Sequence, residues 1–197
     1  MTAYMLKRMK PRRRREGRTD YRKRLKLVKS GLERLVVRRT NRRLIVQLVK
    51  SKLGGDETLL TVTSDVLVHY GWRASFKSTP AAYLTGLLLG KKALENGFKK
   101  AILDIGVQRS VKGSRLYAVV KGVLDAGMEV PASEEMLPDE ERLVGKHITS
   151  YYLSTVQTPG VTQFCESDGE YLRNLASNVM LVKEKILRGG GNERMEA

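Results

Sequence analysis

The side chains best suited to chemistry in this sequence are its arginines. Arg12, Arg13, Arg14 and Arg15 follow one another directly, and Arg18, Arg22 and Arg24 continue the series. Together with lysines that include Lys7 and Lys10, and with Arg8, they give the stretch from Lys7 to Lys29 13 basic residues against two acids, Glu16 and Asp20. A guanidinium is planar and permanently charged, grips two phosphate oxygens at once and stacks on bases, so the chemistry on offer is recognition of a phosphate-bearing polyanion. The charge is local. Residues 1–50 hold 19 Lys and Arg against 3 acids, whereas residues 51–197 hold 18 of each, so the net charge of +16 lies in the first quarter of the chain. Like charges repel, and folding gains nothing from concentrating them; an external polyanion accounts for the pattern.

Two further groups point the same way. Arg38, Arg39, Arg42 and Arg43 surround Thr40 and Asn41 in a six-residue polar break between aliphatic runs, with no acid beside them. Arg109, Lys112 and Arg115 flank Gly113-Ser114, where the free backbone N–H groups of a helix start could hold a phosphate; an ordinary N-cap serine is the competing reading. A membrane partner is not expected, because the arm offers only Tyr21 and a few aliphatics to the lipid boundary, too little apolar bulk for a surface helix. The most apolar stretch, Pro80 to Gly90, falls well short of the roughly 20 residues that span a bilayer.

Catalytic groups are scarce. His69, His147 and Cys165 are the only soft ligands and lie far apart, so neither a zinc site nor a Ser-His-Asp set is expected, and a single cysteine forms no intrachain disulfide. A reducing cytosol suits that composition. Gly86 to Lys92 lacks the spacing of a phosphate-binding Walker loop. Asp104, at the end of the apolar run Ala101 to Ile105 and before Gly106, stands where a metal-dependent phosphoryl-transfer enzyme would place a carboxylate. Such chemistry needs converging acids. Only Asp65 and Asp125 are candidates to join it, and Asp125, just before Gly127, suits local hydrogen bonding better. No cofactor is expected.

The elements that must position these groups follow from periodicity. The segment before Thr19 is too densely charged to collapse and is expected to lack order without a partner. Thr19 then reads as an N-cap with Asp20 in the first turn, opening a helix on which Tyr21, Leu25, Val28 and Leu32 form a packing face and Arg18, Arg22, Lys26 and Lys29 a positive one. Leu35 to Val37, Leu44 to Val49 and Thr58 to Thr63 read as three antiparallel strands, the first two making a hairpin with an arginine-rich tip. Asp65 to Tyr70 is ambiguous, and Trp72 reads as a core anchor. Thr79-Pro80 opens a helix ending at Asn96-Gly97, with Gly86 and Gly90 suited to close packing against a sheet. Ala101 to Ile105, a helix from Ser114 to before Gly127, and Met128 to Val130 form a strand-helix-strand crossover. Glu134 to Glu141, with five acids, reads as a solvated helix end able to dock a basic neighbour. Ser167-Asp168-Gly169-Glu170 opens a helix whose Leu172, Leu175, Val179, Val182 and Ile186 pack on the body or on another chain. The fold class is α/β, a mixed sheet with flanking helices, a basic N-terminal extension and C-terminal helices. The divisions are a basic arm and helix over 1–30, an α/β body over 31–150, a helical extension over 151–188 and a frayed tail over 189–197.

An ordered set of fragments carries a family resemblance: Arg12 to Tyr21, the Arg38 to Arg43 hairpin, Gly71-Trp72, Pro80 to Gly86, Leu103 to Gly106 and Asp125 to Gly127. Over about residues 7–150 they closely resemble the large-subunit ribosomal protein that binds 5S ribosomal RNA, in its archaeal and eukaryotic form, with a length that looks archaeal. The resemblance implies a ribonuclease-H-like three-layer topology without catalysis, in which arm and adjoining sheet grip 5S rRNA. It further implies that the protein helps attach this RNA to the large-subunit rRNA in the central protuberance, beside another 5S-binding ribosomal protein and other large-subunit proteins of the cytoplasmic ribosome. RNA-binding roles carry over onto the arm from Lys7 to Arg24, the hairpin from Arg38 to Arg43 and the loop from Arg109 to Arg115. The rival is a ribonuclease-H-like metal-dependent nuclease or phosphotransferase using Asp104. It is disfavoured because such enzymes place the aspartate on their first strand, whereas this strand is the fourth, and a fold alone does not carry a mechanism.

Overall fold

The computed structural model describes residues 9–155 and 168–189. Lys7, Arg8, Cys165, Ser167 and the tail after Gly189 lie outside the described residues. The arginine block takes one turn of helix, α1 (Arg12–Arg15), where the charge density suggests no order at all. Glu16 supplies the reason. Its carboxylate lies 2.7 Å from Arg12 Nε and 3.1 Å from Arg18 Nε, offsetting part of the repulsion locally. Helix α2 (Tyr21–Val28) is capped by Asp20 and not by Thr19: the Asp20 carboxylate accepts hydrogen bonds from the backbone N–H of Arg22 (3.0 Å) and Lys23 (3.3 Å). Thr19 instead accepts a hydrogen bond from Arg13 Nε at 2.8 Å. Arg18 therefore lies outside the helix. The stripe expected to pack does not: Tyr21, Leu25, Val28 and Leu32 are all exposed, and the side facing the body carries the partly buried Arg24 and Leu27.

Strands β1 (Glu33–Arg39), β2 (Leu44–Lys52) and β3 (Gly55–Thr63) form the expected antiparallel meander, each longer than the aliphatic run that announced it. A bulge between Leu48 and Val49 adjusts the β2–β3 register. The ambiguous segment is a 3-10 helix, Ser64–Tyr70, and it leads through the buried Trp72 into α3 (Thr79–Glu95). Here too the cap moves by one residue. Ser78 Oγ accepts from the Ala81 N–H at 3.3 Å, which leaves Pro80, with no N–H of its own, harmlessly in the first turn. Strand β4 (Ala101–Asp104) then lies parallel to β1, giving the mixed order β3-β2-β1-β4.

Leu35, Val37, Leu44, Val46, Leu48 and Val62 point from one sheet face into the core beneath α3 and α4 (Arg115–Asp125). The glycines of α3 serve helix-helix and not helix-sheet contact. A Cβ on Gly86 would overlap the Val119 carbonyl oxygen, and one on Gly122 of α4 would overlap the Tyr83 carbonyl oxygen and lie 2.8 Å from Leu87 N. The crossover after α4 ends not in a strand but in one parallel bridge, Lys100 to Glu129, with Ala101 N donating to Glu129 O (3.0 Å) and Glu129 N to Lys99 O (2.8 Å). Pro131 lacks the N–H that would extend the ladder.

Short helices α5 (Glu140–Val144) and α6 (Lys146–Thr155) follow. The C-terminal helix expected as one piece is two, α7 (Gly169–Arg173) and α8 (Leu175–Arg188), broken at Asn174. Leu172, Leu175, Val179, Val182 and Ile186 are buried, and α8 lies on α3 and on the 3-10 turn, so the seam packs on the body. Lys91 Nζ holds its end, donating to the carbonyls of Ile186 and Leu187 at 2.9 Å each. The four-stranded mixed sheet with flanking helices agrees with the ribonuclease-H-like expectation.

Candidate nucleic-acid interface

Because side chains alternate along a strand, the sheet face opposite the core carries Arg34, Val36 and Arg38 of β1, Ile45, Gln47 and Val49 of β2, Thr61 and Thr63 of β3, and Ile102 and Asp104 of β4. Gln47 Nε2 donates to Thr61 Oγ1 at 3.1 Å across this face. The arm helix α2 meets the same face at the end where β3 begins, and the arginine hairpin lies at the other end of β1 and β2.

The hairpin tip is narrow. Thr40 N donates to the Arg43 carbonyl (2.9 Å), and Thr40 Oγ1 both donates to that carbonyl (2.8 Å) and accepts from Arg43 N (3.0 Å), closing the turn over Asn41 and Arg42. Arg43 Nη1 is paired with Asp65 at 2.7 Å. Arg38, Arg39 and Arg42 have no acidic partner among the described residues and are exposed.

The structure brings the Arg109 to Arg115 loop beside this hairpin. Gln108 Nε2 donates to the Val37 carbonyl at 2.8 Å, fastening the loop to the end of β1. Arg115 Nη1 donates to the Lys77 carbonyl at 2.8 Å, and its pKa is pushed below the ordinary arginine value, first by burial and then by the neighbouring charge of Arg39. Ser114 occupies the N-cap position of α4 without making a side-chain cap bond, and its Oγ is buried without a partner. Arg109 and Lys112 are exposed on the loop.

In the arm, Arg13, Arg14, Arg15 and Arg22 are exposed and, with Lys10, have no acidic partner among the described residues. Arg12 and Arg18 share Glu16. Arg24 is engaged differently: its Nη2 lies 2.8 Å from Asp56 Oδ1. Asp56 Oδ2 in turn lies 2.6 Å from Arg34 Nη2, and Arg34 Nη1 donates to Asp104 Oδ2 at 2.7 Å. Arg34 is almost completely buried, with 3% of its surface exposed. Burial pushes the Asp56 carboxyl up, but hydrogen bonding and charge from Arg34, the charge of Arg24 and the Ser51 hydroxyl outweigh it and leave the pKa below the ordinary range.

Arg34 and Asp56 escaped the sequence reading. The available signal, an arginine directly preceding the buried run Leu35 to Val37, marks Arg34 but neither of its partners. The three acids weighed for metal chemistry are each committed elsewhere. Asp104 holds Arg34 and accepts from Gly106 N at 2.9 Å, Asp65 holds Arg43, and Asp125 accepts from Tyr83 Oη at 2.7 Å with Lys121 at 3.1 Å. Among the described residues no three His, Cys, Asp or Glu side chains are grouped so as to hold a metal ion.

Comparison with known proteins gives this arrangement its family. The family described as ribosomal large subunit proteins 60S L5, and 50S L18 matches residues 6–98 and 95–133. The large ribosomal subunit protein uL18 of Methanoculleus marisnigri is 55% identical over 176 residues, 89% of this chain and 94% of that protein. Its counterpart in Methanoregula boonei is 44% identical over the same coverage, and that of Korarchaeum cryptofilum is 57% identical over 143 residues, 73% of each chain.

Proposed function

The chain belongs to the family of large-subunit ribosomal proteins 60S L5 and 50S L18, and from that premise we propose that it binds 5S rRNA and helps attach it to the large-subunit rRNA in the central protuberance. It is a structural protein of the large ribosomal subunit and not an enzyme. Its place of work is the cytoplasmic ribosome. The observation that supports the finer reading is the division of cations: arginines without an acidic partner gather on the arm, the hairpin and the adjoining loop, while residues 51–197 taken together carry no net charge.

The RNA-binding residues in this reading are those of the arm (Lys7 to Arg24), the hairpin (Arg38, Arg39, Asn41, Arg42, Arg43) and the loop (Arg109, Lys112, Ser114, Arg115). Arm cations bind phosphates and release counterions, giving salt-sensitive affinity. The hairpin, the loop and the adjoining sheet then select a shape, since A-form RNA is read mostly through backbone and 2′-hydroxyl groups. The neighbouring 5S-binding ribosomal protein is a further partner in this reading. Titration of the purified protein against 5S rRNA and against an unrelated RNA duplex of equal length tests it. Preferential binding of 5S rRNA is expected; equal affinity for both RNAs overturns it.

A further inference from the structure

Helix α2 has a peculiarity for an element that delivers cations to a large ligand: none of its side chains is fully buried in the body, and only Arg24 and Leu27 are partly so. Its apolar stripe is exposed, and the tie from its cationic face to the sheet is Arg24 to Asp56. That tie is the outer end of a continuous chain. Arg24 holds Asp56 on β3, Asp56 holds Arg34 on β1, Arg34 holds Asp104 on β4, and the other oxygen of Asp104 accepts from the Gly106 N–H, where the loop carrying Arg109 and Lys112 begins. Side-chain exposure falls from 31% at Arg24 and 29% at Asp56 to 4% at Arg34 and 13% at Asp104, so the chain is anchored inside and open at the arm.

Two arginines and two aspartates cancel, so this chain adds nothing to long-range attraction for a polyanion. Its contribution is geometric. Ion pairs at 2.6–2.8 Å, with a charge-assisted hydrogen bond from Arg34 to Asp104, hold the four groups together, and burial shields the inner members from solvent and salt. We infer that Arg24, Asp56, Arg34 and Asp104 form a positioning device that fixes the arm helix relative to the Arg109 to Arg115 loop, and that Asp56 thereby determines selectivity among RNAs although it is itself an anion facing an RNA-binding surface. The inference rests on the proposed RNA-binding role. It assigns to two acids and a buried arginine a function that charge complementarity alone would deny them.

The test uses the sign of the charge change. Asp56→Asn makes the surface more positive by one charge, and Arg24→Gln makes it less positive by one. If charge alone matters, the first tightens binding to every RNA, the second weakens it, and the ratio of affinities for 5S rRNA and an unrelated duplex stays constant. If the chain positions the arm, both variants lower that ratio in the same direction, each about two- to fivefold, the worth of one partly exposed ion pair lost from a defined geometry. The double variant is then no worse than either single one. Asp56→Asn raises affinity for the unrelated duplex while it lowers the preference for 5S rRNA, an outcome that mere loss of stability does not produce. Arg24→Gln leaves the buried Arg34–Asp104 pair intact, so it keeps the test valid if Asp56→Asn folds poorly. A constant ratio in Arg24→Gln, or shifts of opposite sign in the two variants, overturns the inference. An unsubstituted protein that shows no preference for 5S rRNA overturns the underlying reading instead.

Discussion

Replacing Arg13, Arg14 and Arg15 with glutamine isolates the arm's contribution, because these three have no acidic partner among the described residues while Arg12 and Arg18 share Glu16. The turn they form buries no residue, so the variant should melt like the parent. If each arginine neutralises one phosphate in the complex, the slope of log affinity against log salt becomes shallower by about 2.1 on a single strand and about 2.7 on a duplex. A fourfold rise in salt spans about 0.6 logarithmic units, so the parent's advantage over the variant should shrink roughly 20- to 40-fold between about 50 and 200 mM. Filter binding across a salt series with 5S rRNA reads this directly. Parallel lines for parent and variant, whatever their vertical offset, would refute the claim that the block releases counterions from phosphates, and an unrelated duplex should show the same change in slope.

Three further outcomes follow from the packing and the ion pairs. Gly122→Ala drives a methyl group into the Tyr83 carbonyl and Leu87 N, so chemical denaturation should show a loss of about 1–3 kcal/mol or more, whereas Gly55→Ala, with nothing within 4 Å, should stay within about 0.5 kcal/mol of the parent. Arg34→Met leaves two carboxylates without their shared cation and should cost about 3–5 kcal/mol by the same measurement; a change below about 1 kcal/mol would show that the chain of pairs is loosely coupled. Because the folded-state pKa of Asp56 is depressed below 3.8, its pairing stabilises the fold fully above that value and the benefit disappears as pH falls through the lowered pKa, so the destabilisation by Asp56→Asn should be full at neutral pH and vanish in acid.

Much of the architecture was legible because it rests on local pattern. The β-branched and aliphatic runs around Leu35 to Val37 and Leu44 to Val49 announce strands, and the arginine-rich break between them announces a turn, since each signal lies within a few residues of its consequence. Caps were legible only to within a residue. Thr19 and Asp20, or Ser78 and Thr79, are adjacent residues of capping type, and the choice between them depends on which side chain reaches the free N–H groups, a matter of backbone path. The exposed stripe of α2 looked like a packing face because periodicity reports an apolar face without saying whether anything covers it. The glycines of α3 mark close approach, but the expected neighbour is the sheet and the actual one is α4, a matter of tertiary order. Arg34 was least legible of all, since it meets Asp104 across 70 residues of sequence and nothing local marks the pair.

That pair also decides between the two chemistries the sequence left in competition. A carboxylate at a strand end before glycine can serve as a metal ligand only if its oxygens are free to turn toward solvent and toward other acids. Here one oxygen of Asp104 is held by a buried guanidinium and the other by the Gly106 N–H, so recruiting it to a cation would strip Arg34 of a counterion in a place water does not reach. The arginine that closes the position to catalysis also carries the chain outward to Asp56 and the arm. One buried side chain thus accounts for both halves of the protein's character, a strand-end aspartate with structural work to do and a basic arm held at a fixed place on a neutral body. Restoring a free carboxylate by Arg34→Met should therefore yield a less stable and less selective RNA binder, with no gain of RNA cleavage when Mg²⁺ is added; cleavage of 5S rRNA by that variant would show that Arg34 suppresses a site rather than builds one.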